Sequence, residues 1–225
     1  IITGQRGVGK TVLLNRFRQL ALDQDWVVVE MELSKRDNSA FSADLSAQIK
    51  RAILEFSPVE KLSEQARKAL AVLRSFATSM KVGVDPVGNL NAELNIERAL
   101  GESDTGELQQ DLTDLFLAVG EVAKKRERGL VFLFDELQFL RVEQLEAVIA
   151  ALHKVIQRGR PITLVGAGLP QIAELTGDAQ SYSERAFTFP QMKNLDEEST
   201  KKVFQETARV EDASFTDGAW EEAWR

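Results

Sequence analysis

The 225 residues predict an α/β fold built on a parallel, doubly wound sheet. Three observations carry that expectation. Segments with strand and helix character alternate along the chain. The run Leu130-Val131-Phe132-Leu133-Phe134 is continuously apolar over the length of one strand, as a strand buried on both faces must be. The glycine-rich run Gly4-Gln5-Arg6-Gly7-Val8-Gly9-Lys10-Thr11 joins an apolar strand end, Ile1-Ile2, to an amphipathic helix.

That helix covers residues 12–21 and sets Leu13, Phe17, Leu20 and Ala21 on one face. After the polar break Asp23-Gln24-Asp25, residues 26–33 are rich in β-branched side chains and read as the second strand. A helix over 42–56 places Leu45, Ile49, Ala52 and Ile53 at helical spacing, and Ser57-Pro58 stops it. Residues 61–80 read as helix and 81–96 as a small hairpin, and the stretch 59–104 reads as an insertion decorating the core. Leu108, Leu112, Leu115, Phe116, Val119 and Val122 define a long helix ending in Lys124-Lys125-Arg126-Glu127-Arg128-Gly129. Cations are favoured at a helix C-terminus and glycine is a natural cap, so this basic cluster reads as structural. Beyond the strand at 130–134, a helix faces Leu145, Val148, Ile149, Leu152 and Ile156 inward. A strand at 162–165 then runs into Gly166-Ala167-Gly168, and a short last strand, Phe187-Thr188-Phe189, precedes Pro190.

Composition excludes several classes. The chain is 44% apolar and 28% charged, with no apolar run long enough to cross a bilayer. A formal charge of −7 and a pI near 5.0 argue against broad nucleic-acid binding. No cysteine is present, so disulfides and thiol-ligated metals are ruled out. His153, the only histidine, lacks the neighbouring ligands of a metal site. No N-K-x-D segment reads guanine, and no motif supplies the acceptor site of a small-molecule kinase. The chain opens inside a strand and stops in the helical pattern of 218–225, so a piece of a longer protein is expected.

Residues 4–11 fit G-x-x-x-x-G-K-[ST] at every fixed position. Glycines let a backbone curl around a phosphate with no Cβ in the way. The N–H groups from Gly4 and Gln5 through Arg6, Gly7, Val8, Gly9, Lys10, Thr11 and Val12 are therefore expected around the anion. Lys10 is expected to reach the β- and γ-phosphates, and the Thr11 hydroxyl to ligate Mg²⁺. The strand at 130–134 delivers Asp135 and Glu136 at its carboxyl edge, where ligands bind in open α/β sheets. Taken alone, this pair fits two roles. Asp135 holds Mg²⁺ while Glu136 deprotonates an attacking water, or Asp135 caps the helix that follows. A phosphate loop in the same chain favours the first, because the two features need each other chemically.

These residues resemble a known group. Residues 4–11 look like a Walker A motif and 130–136 like a Walker B motif with its catalytic glutamate, a pairing similar to the additional-strand, catalytic-glutamate class of P-loop NTPases. Asp135-Glu136-Leu137-Gln138-Phe139-Leu140, Val165-Gly166-Ala167-Gly168-Leu169-Pro170 and Ser181-Tyr182-Ser183-Glu184-Arg185-Ala186-Phe187 make the chain similar to AAA+ ATPases, in the bacterial and archaeal branch of origin-recognition and STAND-type domains. The resemblance implies a three-layer P-loop NTPase fold with sheet order 5-1-4-3-2, ATP with Mg²⁺, a core over 1–194, and the beginning of a helical lid over 195–225. It implies catalytic roles for Lys10 and Glu136 and metal contacts from Thr11 and Asp135. Arg185 stands where the family places an arginine finger acting on a neighbouring subunit of a homo-oligomer; a surface ion pair with Glu184 is its other reading. A protein client is expected, nucleic acid only through regions outside this chain, no membrane, and a cytoplasmic location.

One departure stands out. The family presents a polar side chain at the end of the fourth strand, and Val165-Gly166-Ala167-Gly168 offers none beyond the earlier Thr163. Gln138 supplies either a polar contact or only a solvated turn. Slow turnover is therefore expected, and a nucleotide-gated switch with little hydrolysis stands beside the ATPase reading.

Overall fold

The computed structural model describes residues 1–35, 38–83, 85–88, 96–172, 187–210, 212–215, 219 and 222. Strand β1 (Ile2–Gly4) feeds helix α1 (Lys10–Asp23), and β2 (Val27–Glu32) feeds α2 (Asn38–Phe56). Helices α3 (Glu64–Ser79) and α4 (Leu108–Lys125) precede β3 (Leu130–Asp135). Helix α5 (Val142–Gln157), β4 (Ile162–Gly168), β5 (Gln191–Met192) and α6 (Glu197–Val210) complete the described order.

The strands form one five-stranded sheet in the order β2-β3-β4-β1-β5. Every pair is parallel, so this is the expected 5-1-4-3-2 arrangement, and all carboxyl ends share one edge. The order has a direct consequence for function. The end of β4 lies between the loop after β1 and the carboxylates of Asp135 and Glu136 at the end of β3.

Helices cover both faces of the sheet. On one, Val131 and Leu133 of β3 meet Ile2, Ala167 and Leu14, with Leu13, Phe17 and Ala21 of α1 packed alongside. On the other, Leu130, Phe132 and Phe134 enter a larger core with α2, α4 and α5. Phe116 of α4 stacks on Phe132 at 4.7 Å between ring centroids. The buried stretch of β3 thus packs on both faces, as its unbroken apolar run predicts.

Several sequence expectations need correction. Leu20 is 44% exposed, because the inward stripe of α1 runs through Lys10, Leu14, Phe17 and Ala21 and leaves Leu20 on its margin. Ile156 is likewise exposed, and Val155 takes the inward position in the last turn of α5. The last strand is Gln191–Met192, after Pro190 rather than before it. Residues 187–190 still run beside β1, since Thr3 N donates to the Pro190 carbonyl at 2.9 Å. Of the expected hairpin at 81–96, residues 84 and 89–95 lie outside the described residues, and 81–83 and 85–88 form turns without a strand.

Gly129 is not the helix cap. Arg126 occupies the C-cap of α4 and Glu127 adopts the left-handed turn, with φ of 53°. A Cβ on Gly129 would lie 2.3 Å from the Trp26 ring, so the glycine makes room for that indole. The basic cluster around it is structural in part: Arg128 pairs with Asp25 at 2.9 Å and lies over the Phe56 ring at 5.7 Å. Arg126 donates to the Ser57 hydroxyl at 3.0 Å.

Within 59–104, α3 belongs to the main core. Ser63 caps its first turn by accepting from Ala66 N at 3.2 Å, and Ala69, Leu70, Leu73 and Phe76 are fully buried between α2 and α4. The turns after it are tied down by Asp111, whose buried carboxylate accepts from Ser79 Oγ at 2.6 Å, from Thr105 N at 2.9 Å and from Thr105 Oγ1 at 2.7 Å.

Candidate functional site

The loop between β1 and α1 is shaped by its glycines. Gly7 and Gly9 have φ of 83° and 90°, values that disfavour any side chain. Gly4 is required for a different reason: a Cβ there would lie 2.8 Å from Val8 Cγ2 and 2.9 Å from the Met192 carbonyl. Gly9 is the N-cap of α1, no side chain caps that end, and the first turn holds no acidic residue. The positive end of the helix and its unpaired N–H groups are left for an anion. Gln5, Arg6, Gly7, Thr11 and Val12 are exposed along this loop, and Val8 and Gly9 half-buried.

Lys10 is only 8% exposed and folds back over the loop. Its Nζ donates to the carbonyls of Gly4 at 3.0 Å and Gln5 at 2.8 Å. These are bonds a phosphate oxygen can replace, which leaves the ammonium in place to meet it.

Thr11 and Asp135, distant in sequence, meet at the sheet edge. Thr11 Oγ1 donates to Asp135 Oδ2 at 2.6 Å. The other carboxylate oxygen, Oδ1, accepts from Glu136 N at 2.8 Å. Asp135 therefore holds its own neighbour and the loop, and it does not cap the next helix; α5 begins at Val142, where Gln144 Oε1 accepts from Arg141 N at 2.9 Å. The hydroxyl and carboxylate form an oxygen donor set of the kind Mg²⁺ accepts when phosphates complete its shell. Among the described residues no group of three or more His, Cys, Asp and Glu could hold a metal.

Glu136 occupies the left-handed region, with φ 58° and ψ 40°, a costly conformation for a residue with a side chain. It turns the chain out of β3 into the short 3-10 turn Leu137–Phe139. Its carboxylate Oε2 accepts from Gln138 Nε2, and Gln138 Oε1 accepts from Leu169 N at 3.1 Å. Gln138 is partly buried and bonded at both ends, not a solvated turn residue.

Beside these groups lies a cavity of about 270 Å³, lined by Thr11, Asn15, Glu30, Glu32, Asp135 and Glu136 among others. Glu32 stands opposite Asp135 in the β2–β3 ladder, and Glu30 pairs with Arg18 at 2.9 Å. Neither glutamate belongs to a motif, and only their alternation along β2 places them on one face in the sequence. Larger clefts of about 520 and 610 Å³ lie elsewhere, against α2 and between α3 and α4. Arg185 lies outside the described residues, and Thr163 sits within β4 beside Val131 rather than at the strand's end. Among the described residues no helix is long and apolar enough to cross a membrane.

Searches among curated proteins and among solved structures found no match. A family model described as AAA ATPase domain matches residues 1–165, a span that includes the phosphate-type loop, all of β1 to β3, and the carboxylates of Asp135 and Glu136 at the end of β3. The five parallel strands in the order 5-1-4-3-2, with helices on both faces, agree with the P-loop NTPase fold of that family. The chain belongs to the AAA ATPase domain family of nucleotide-binding ATPases.

Proposed function

We propose that this domain binds ATP with Mg²⁺ and hydrolyses it, coupling nucleotide state to the conformation or assembly of a larger protein and its client. The observation that carries this reading is the 2.6 Å bond between Thr11 and Asp135, which joins the phosphate-type loop to the acidic edge of the sheet.

In this reading the loop N–H groups and the start of α1 bind the phosphates, and Lys10 exchanges its loop carbonyls for phosphate oxygens. Thr11 and Asp135 hold Mg²⁺, which when bound neutralises charge on the phosphate oxygens. Glu136 takes a proton from the attacking water as its oxygen bonds to the γ-phosphorus, and the bond from that phosphorus to the ADP oxygen breaks. Arg185 acts on the nucleotide of a neighbouring copy in a homo-oligomer. Residues 1–194 form the core, 195–225 begin the lid, and the location is cytoplasmic.

A second reading is a nucleotide-gated switch that binds ATP with little turnover. The absence of a polar side chain at the Gly166-Ala167-Gly168 end of β4 favours it. Measuring ATP affinity and steady-state turnover with Mg²⁺ for the wild type and Glu136→Gln separates the two. Loss of the base is expected to lower turnover about 10²- to 10⁴-fold while binding persists. A negligible wild-type rate that the substitution leaves unchanged selects the switch, and failure to bind ATP removes both readings.

A further inference from the structure

The end of β4 carries two glycines, and the turn after Glu136 packs into the space their absent side chains leave, joined at Gly168 by Ile172. A Cβ on Gly166 would lie 2.4 Å from Leu137 Cδ1, and one on Gly168 would lie 3.1 Å from Gln138 Oε1. The short turn Leu137–Phe139 after Glu136 therefore leans directly onto the strand end that this sequence leaves without a polar side chain. Gln138 is the polar side chain this turn delivers. Its amide has one arrangement that satisfies both partners: Leu169 N can only donate, so Oε1 faces it, and Nε2 is left for the Glu136 carboxylate.

We propose that Gln138 is the positioning residue for Glu136, and that it does from the β3 side the work expected of a polar residue on β4. Anchored to the backbone of Leu169, it holds Oε2 of Glu136 and leaves Oε1 to accept the proton of the attacking water. Two constraints converge on the carboxylate. Asp135 fixes the backbone of Glu136 through its N–H at 2.8 Å, and Gln138 fixes the side chain. The bare end of β4 is then no sign of a weakened hydrolase, because its glycines leave room for the turn that carries Leu137 and Gln138 to pack against the strand. This proposal rests on the hydrolytic reading above.

The test compares Gln138→Met, which keeps the length of the side chain and removes the amide, with Gln138→Glu, which replaces the donor by an acceptor. Each is placed in the full chain, alone and together with Glu136→Gln. Turnover is expected to fall about tenfold or more in either variant, while KM for ATP and the affinity for ADP with Mg²⁺ stay within about twofold. In the Glu136→Gln background the single-turnover rate should not fall further, because Gln138 acts through the group already removed. Retained turnover in a folded variant overturns the proposal. So does an equal and additional loss in the Glu136→Gln background, or a parallel loss of nucleotide affinity. If Gln138→Met fails to fold, Gln138→Glu carries the test alone. A wild type that binds ATP without hydrolysing it overturns the hydrolytic reading together with this one, whereas a hydrolysing wild type with an unaffected Gln138→Met overturns the role of Gln138 alone.

Discussion

The two sides of the candidate site are built by different physics. The loop of residues 4–11 takes its shape from the backbone: two glycines at positive φ, a third beneath Val8 and Met192, and a helix end with unpaired N–H groups. The acidic edge after β3 takes its shape from side chains, through the chain of bonds from Thr11 to Asp135, on to the Glu136 backbone, and from Glu136 through Gln138 to Leu169. A site of the first kind is preformed before ligand arrives and is costly to mutate whatever the replacement. One of the second kind depends on partners that are each replaceable, so its substitutions should separate binding from turnover.

The largest effect on the backbone side should come from Lys10, the buried one of its two charged side chains. Lys10→Ala removes the cation that in the proposed function meets the phosphates, and charge-assisted hydrogen bonds of this type are worth about 1.5–3 kcal/mol. ATP affinity is expected to fall roughly ten- to hundredfold in calorimetric titration with Mg²⁺. If affinity is unchanged, the backbone alone holds the anion and the division between the two sides becomes sharper still. A smaller effect is expected from Gly9→Ala. The nearest atom to the added methyl is Met192 Cε at 3.9 Å, so space is not limiting and the cost is conformational, about 1–2 kcal/mol at a φ of 90°. Denaturant unfolding of the nucleotide-free protein should read that loss directly. A variant as stable as the wild type would mean the loop is not held in this conformation by its glycine.

This division also explains what the sequence made legible. A loop encoded by backbone conformation announces itself locally, since glycines at fixed spacing before Lys10 and Thr11 are both the cause of the shape and its signature. The two-sided burial of β3 is equally local, because an unbroken apolar run has no solvent face. Features that depend on a distant partner are not legible locally. Gly129 resembles a cap from its neighbours, yet its role is set by Trp26, which precedes it by more than a hundred residues. Gln138 resembles a surface turn residue, and only the return of β4 brings Leu169 N within 3.1 Å of it. Leu20 and Ile156 fit the helical period but fall outside the contact zone, which periodicity cannot delimit. The stretch 59–104 reads as peripheral because a glycine- and asparagine-containing segment follows α3, whereas the alanine- and leucine-rich face of α3 itself is buried.

The smallest effect is expected where the two sides touch, at Gly168. It lies on the strand between the loop and the carboxylates, and an added Cβ would sit 3.1 Å from Gln138 Oε1 and 3.1 Å from Ile172 Cδ1 and Cγ1. Both contacts are with ends of side chains, so they can yield by a few tenths of an ångström. Moving Gln138 off its preferred rotamer by that amount costs about 0.5 kcal/mol and lengthens its bond to Leu169 N. Gly168→Ala should therefore lower turnover only about two- to threefold and leave ATP affinity intact, with faster exchange of the Leu169 amide as the accompanying sign. A loss as large as that of Gln138→Met, without faster exchange at Leu169, would move control of Glu136 from the side-chain bond to the backbone of β4. The acidic edge would then be governed by main-chain shape in the same way as the loop.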